Sequence, residues 1–189
     1  MNAESELDPL RWARFYAGVK HAGLTYSGGL PYTHHLAAVD GVLVRLKPAI
    51  MQDLLKRLSP EAAEEFFLCL RTAAWLHDVI EDTRKSPQPV KAKDIAEMFG
   101  EVVAGLVEAM TKGAEGNRES KAALNYPKLR AAFGAVTLKL ADRIANVSQG
   151  GSLVQMYRKE HEDFRRALYT PGENEELWAQ IDELLVGHS

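Results

Sequence analysis

The sequence predicts an all-α protein, and three observations carry that prediction. Apolar residues recur at three- and four-residue spacing through most segments, as helices that bury one face require. Glycine, proline and capping residues interrupt that rhythm where helices would start or stop. No run of alternating residues finds a partner strand elsewhere in the chain.

Leu10, Phe15 and Val19 form the first apolar stripe, and Ser27-Gly28-Gly29-Leu30-Pro31 ends it. Leu36, Val39, Val42 and Leu46 form the second. Pro48 interrupts, and Leu54, Leu55 and Leu58 follow. Ser59-Pro60-Glu61-Ala62 reads as an N-cap with proline at the first helical position, opening a helix expected to run through Trp75 into His77 and Asp78. Later breaks fall at Arg84 to Pro89, Gly113 to Asn117, Gly150-Gly151 and Pro171-Gly172, so about eight or nine helices are expected. Gly134 to Ala141 is the one stretch where β-branched residues and alternation favour a strand, and helix is preferred because a strand would have no partner. After Gly151, residues Leu153, Met156, Tyr157, Phe164, Leu168, Leu177, Trp178, Ile181 and Leu184 describe two amphipathic helices that either close the core or form a homodimer face.

At 189 residues and 46% hydrophobic content, one sizeable core is expected and a second full domain would be cramped. The net charge of -3 provides no global basic field, so nonspecific nucleic-acid binding is not expected and a polyanionic substrate must meet local cations or a metal. Cys69, the only cysteine, lies in the apolar run FFLCLRTAAWL, which implies a buried, inert thiol and fits a reducing, cytoplasmic setting. The polar, acidic start MNAESELDPL does not read as a cleaved signal. No stretch approaches the ~18 apolar residues of a membrane span. Repeats, heptads and low-complexity tracts are absent from the sequence.

The chemistry concentrates in His77-Asp78-Val79-Ile80-Glu81-Asp82-Thr83. A continuous helix would set Glu81 four residues beyond His77 and Asp82 four beyond Asp78, crowding three carboxylates and an imidazole on one surface. Like charges at that spacing repel, so the segment calls for a cation or a solvated face. Mixed His and Asp ligands suit manganese, iron or zinc better than magnesium. Taken alone, such a helix end is ordinary solvated surface. Asp142, however, follows an apolar run where burying a carboxylate is costly unless a metal or the adjacent Arg143 pairs with it. His34-His35 opens an apolar-faced helix and adds imidazoles, which could equally be ordinary residues of a first helical turn.

Four ordered blocks make the chain resemble the hydrolase domain of the RelA/SpoT proteins and the stand-alone small alarmone hydrolases of the HD superfamily. They are Lys20-His21 through Gly29, Pro31-Tyr32 and His35; Ala73 to Thr83; Asp94-Ile95 through Phe99-Gly100 to Thr111-Lys112; and Leu138 to Asn146. The resemblance implies a single HD-type helical domain over residues 1–189, with a motif core at about 10–150 and C-terminal helices at 151–189. It also implies removal of the 3′-pyrophosphate of (p)ppGpp with one divalent metal ion, manganese. By that likeness His35, His77, Asp78 and Asp142 are the metal ligands, with His34 a neighbour. Glu81 and Asp82 position or deprotonate the attacking water, and Asn146 reaches the nucleotide. Lys139, Arg143, Arg118, Lys121 and Lys128 are candidate phosphate partners.

The chain departs from the family pattern at Tyr26-Ser27-Gly28-Gly29, where the family carries an Arg-Lys-Ser-Gly-type loop whose arginine stacks on guanine. Tyr26 is the candidate replacement, since a phenol ring stacks on any purine. Two other readings remain: an HD hydrolase of another phosphorylated nucleotide, such as NADPH or a nucleoside phosphate, and a non-catalytic nucleotide-binding module.

Overall fold

In the computed structural model, residues 8–113, 115–150 and 152–187 are described, and several helices begin where a side chain caps their free amide groups. Asp8 accepts a hydrogen bond from the Leu10 amide at 3.1 Å and opens α1 (Pro9–Lys20). Ser59 accepts from Ala62 at 3.3 Å and opens α4 (Pro60–Leu76), with Pro60 in the first turn as expected. Asn117 accepts from Ser120 at 2.9 Å and opens α8 (Arg118–Ala131). The other segments are α2 (Thr33–Arg45), α3 (Lys47–Leu54), α5 (Val79–Asp82), α6 (Ala92–Phe99), α7 (Glu101–Met110), α9 (Ala135–Ser148), α10 (Ser152–Leu168) and α11 (Glu175–Gly187). The only β pairing among the described residues is an isolated bridge, Thr25 to Pro31. The stretch from Gly134 to Ala141, expected to be helical rather than a strand, is helical from Ala135 onward.

Eleven α-helical segments appear among the described residues rather than eight or nine, partly because single expected helices are broken. The break that matters most follows Leu76. The His77 imidazole donates from Nδ1 to the Ala74 carbonyl at 2.8 Å, competing for the acceptor that the Asp78 amide would use in a continuing helix. Asp78 turns to φ -99°, ψ -6°, and α5 begins as a separate single turn. The helix expected through His77 and Asp78 is therefore corrected to a helix–turn–helix junction.

The core is built around α9, which packs against α2, α4, α7, α8, α10 and α11. Leu138, Leu140, Ala141, Ile144 and Val147 are fully buried along it. Gly134 leads into this helix at φ +78°, and a Cβ there would lie 2.6 Å from the Phe66 ring, so both the backbone and the space demand glycine. From the C-terminal pair, Phe164, Leu168, Leu177, Trp178 and Ile181 are buried in the core, and Leu153, Met156, Tyr157 and Leu184 are half-buried.

On the other side, Asp40 of α2 binds Arg14 of α1 at 2.9 Å, and Arg71 and Trp75 of α4 at 2.7 and 3.1 Å. Those bonds hold the Asp40 carboxyl below its usual range even though burial alone would raise it. Two sequence expectations change. Phe15 and Val19 are exposed, because α1 buries Leu10, Ala13 and Ala17 instead. Cys69 is only half-buried; burial, with Glu65 nearby, raises its thiol pKa, which favours the unreactive protonated form.

Candidate metal centre and nucleotide cleft

Three helices converge on one cluster. His35 comes from the first turn of α2, His77 from the junction after α4, and Asp142 from the middle of α9. One potential ligand atom from each lies within 4.8 Å of the others, and all three residues are buried. The Nε2 of His35 lies 3.3 Å from Asp142 and 3.7 Å from Asp78, while the Nε2 of His77 lies 3.0 Å from Asp78 and 3.7 Å from Asp142. Asp78 thus joins the cluster from the turn between α4 and α5.

The donor set fits a divalent cation. His77 spends Nδ1 on the Ala74 carbonyl, which leaves Nε2 pointed at the carboxylates, buried and without an aligned hydrogen-bond partner. Burial alone would lower the pKa of His77, but Asp78 and Asp142 lift it to about 10. Both carboxyls are in turn held well below their ordinary values despite burial, Asp78 by His77 and Asp142 by Lys139 with the two histidines. A cluster that binds a proton this strongly offers the same lone pairs to a metal.

Around the cluster opens a cleft of about 230 Å³. Asp78, Glu81 and Asp82 contribute an acidic side, and Lys112, Arg118 and Lys139 contribute cations. The Glu81 carboxylate accepts from the Lys112 amide at 3.2 Å, which ties α5 to the end of α7. Lys139 donates to Asp142 at 2.7 Å, so Asp142 takes its partner from one turn back and not from Arg143. Arg143 instead donates to the Tyr157 carbonyl at 2.9 Å and lies 4.0 Å from the Phe164 ring centre. Arg118 is bound by Glu160 and lies over Tyr157. Asn146 donates to the Asp142 carboxylate at 2.7 Å and accepts from the Tyr26 hydroxyl at 2.6 Å. One face of Tyr26 is stacked on His35, with ring centres 4.8 Å apart.

Tyr26, His35, Asp78, Glu81, Asp82, Arg118, Lys139, Asp142, Arg143 and Asn146 all line this cleft, and His77 adjoins it through Asp78. Lys121 and Lys128 do not line it; Lys128 lies beside a depression between α7 and α8. His34 is exposed. Sequence reasoning gave no role to Lys112, Tyr157, Tyr32 or His21. Lys112 and Tyr157 line the cleft, and the ammonium of Lys112 has no hydrogen-bond partner among the described residues. Its pKa is lowered by Lys139 and by burial. Tyr32 donates to Asp78 at 2.6 Å. His21, Tyr32 and Lys112 stood inside recognisable motif blocks; Tyr157 carried only a core-like helical pattern.

No family model matches the chain. The bifunctional (p)ppGpp synthase/hydrolase SpoT of Escherichia coli strain K12 is 33% identical over 157 residues, covering 79% of this chain and 19% of that protein. A guanosine-3′,5′-bis(diphosphate) 3′-pyrophosphohydrolase of Aquifex aeolicus is 43% identical over 79 residues, covering 40% of this chain and 11% of that one. The chain thus spans about a fifth of the length of the curated relatives it matches over most of its own. A solved structure of a metazoan ortholog of SpoT, which hydrolyses ppGpp and plays a role in starvation responses, superposes with a TM-score of 0.70 at 20% identity over 96% of each chain. That likeness is one of fold.

Proposed function

The chain is a RelA/SpoT-like HD hydrolase, and on that premise we propose that it removes the 3′-pyrophosphate of (p)ppGpp, releasing pyrophosphate and GDP or GTP. The observation that carries the proposal is the convergence of His35, His77 and Asp142 into one ligand-competent cluster beside the Glu81-Asp82 pair. Asp78 completes the proposed ligand set. The ion we assign is manganese, which accepts imidazole and carboxylate together.

A divalent ion in this cluster supplies Lewis acidity toward phosphoryl oxygens and favours a nucleophilic water at neutral pH. The protein's own residues do the rest. Glu81 or Asp82 accepts the proton as the water oxygen bonds to the phosphorus on the 3′-oxygen. The bond between that phosphorus and the 3′-oxygen breaks, and the 3′-oxygen takes up the proton from the carboxyl group and leaves as the nucleotide hydroxyl. Lys112, whose ammonium has no hydrogen-bond partner among the described residues, and Lys139 meet the anionic oxygens, and Asn146 with Tyr26 contacts the nucleoside side. Tyr26, stacked on His35 and lining the cleft, is the aromatic surface we assign to the base. Among the described residues, no helix is long and apolar enough to cross a membrane.

The test is incubation of manganese-loaded protein with ppGpp beside NADPH and a panel of nucleoside phosphates. GDP and pyrophosphate in equal amounts are expected. Untouched ppGpp with turnover of another nucleotide would transfer the site to that substrate, and no turnover of any would reduce the chain to a binding module.

A further inference from the structure

The His21 imidazole is fully buried at the C-terminal cap of α1, yet it points toward the cleft. Its Nδ1 lies 2.9 Å from the Ala17 carbonyl, which also accepts from the His21 amide at 2.9 Å. A carbonyl can only accept, so Nδ1 carries a hydrogen. The ring is stacked on Tyr32, centres 4.9 Å apart and planes within 13°. With the ring held at one edge and one face, Nε2 has a single orientation. It is buried without an aligned hydrogen-bond partner, and the Asp82 carboxylate lies 3.3 Å from it.

We propose that His21 is the positioning residue of Asp82, holding that carboxylate toward the cleft through a hydrogen bond from Nε2 that closes when the cleft is filled. This rests on Asp82 being a water-activating carboxylate. Nδ1 is already committed to the Ala17 carbonyl, so Nε2 is the ring nitrogen that faces Asp82, and burial leaves it no water to turn to. Asp82 itself sits on the last residue of a single-turn helix, where backbone packing restrains its side chain little. Tyr32 extends the same arrangement: its ring faces His21 and its hydroxyl donates to Asp78, so one stacked pair contacts the acids at the two ends of α5.

His21→Phe keeps the stack on Tyr32 and removes the donor, whereas His21→Gln places an amide N–H near the position of Nε2. The Phe variant is expected to lose about 10- to 100-fold in kcat, the range for removing a residue that orients a reacting group, with KM within a few-fold and metal content unchanged. The Gln variant should recover most of that loss, and Phe in an Asp82→Asn background should cost little more. A silent Phe variant, additive losses with Asp82→Asn, or equal failure of Phe and Gln would each overturn the proposal. The contact is also readable without turnover. Long-range ¹⁵N–¹H spectra should show the His21 Nε2 resonance moving on Asp82→Asn, and an unmoved resonance would reject the contact. A wild-type protein inactive on every nucleotide would sink the hydrolase reading and leave this spectroscopic result standing.

Discussion

Replacing Gly134 by alanine tests how the central helix is launched. At φ +78° an L-residue costs roughly 1–2 kcal/mol. The new Cβ would sit 2.6 and 2.8 Å from two Phe66 ring atoms and 3.3 Å from Leu70, distances that force the ring off its packing against Phe133. Overpacking of that kind typically adds about 1–3 kcal/mol, so the total is about 2–5 kcal/mol. Urea unfolding reads it directly, and for a chain of this size the same loss lowers Tm by roughly 2–4 °C per kcal/mol. Two controls separate the contributions. Gly172→Ala has a comparable φ of +80° and nothing within 4 Å, so it should show only the backbone cost. In a Phe66→Ala background the clash is gone, and Gly134→Ala should again cost only about 1–2 kcal/mol. An equal cost in both backgrounds would refute the steric argument.

Asp78→Ala is expected to reduce bound metal well below one ion per chain in elemental analysis, whereas retention of a full equivalent would leave the site to His35, His77 and Asp142 alone. Glu81→Gln or Asp82→Asn should keep metal and fold while turnover falls by about 10²–10⁴-fold, the usual contribution of general-base help; activity within a few-fold of wild type would remove them from proton transfer. Asp40→Asn should cost about 1–3 kcal/mol at neutral pH, less than the loss of a fully buried pair because the side chain of Arg14 is 45% exposed. The Asp40 pKa is lowered in the folded state, so its stabilisation is complete above the ordinary carboxylate range and disappears as pH falls through the folded value. Melting curves of the two proteins should therefore converge below about pH 4, and a gap that widens in acid would contradict that sign. Tyr26→Ala should raise KM or lower kcat/KM for ppGpp by the ~1–3 kcal/mol of a lost base stack with metal unchanged. Phenylalanine should recover the stack but not the 2.6 Å bond to Asn146.

The helical class, the cap at Ser59 and the crowding of charge around His77-Asp78 were legible in the sequence, because periodicity, capping and local charge act over a few residues. So was the composition of the cluster, since His35, His77, Asp78 and Asp142 lie in motif blocks that can be recognised in order. What the sequence alone could not decide depended on what lies opposite each side chain. Phe15 and Val19 read as core until α1 turned Ala13 and Ala17 inward. Arg143 stood as an alternative partner of Asp142 until the helical pitch set Lys139 there and α10 brought Tyr157 and Phe164 against the guanidinium. The break after Leu76 also escaped pattern reading, because a side chain competing for one carbonyl leaves no periodic trace. His21 and Lys112 are the furthest cases. Each acquires its place only when separate segments close around α5, and contacts between residues distant in the chain are settled by packing and not by spacing.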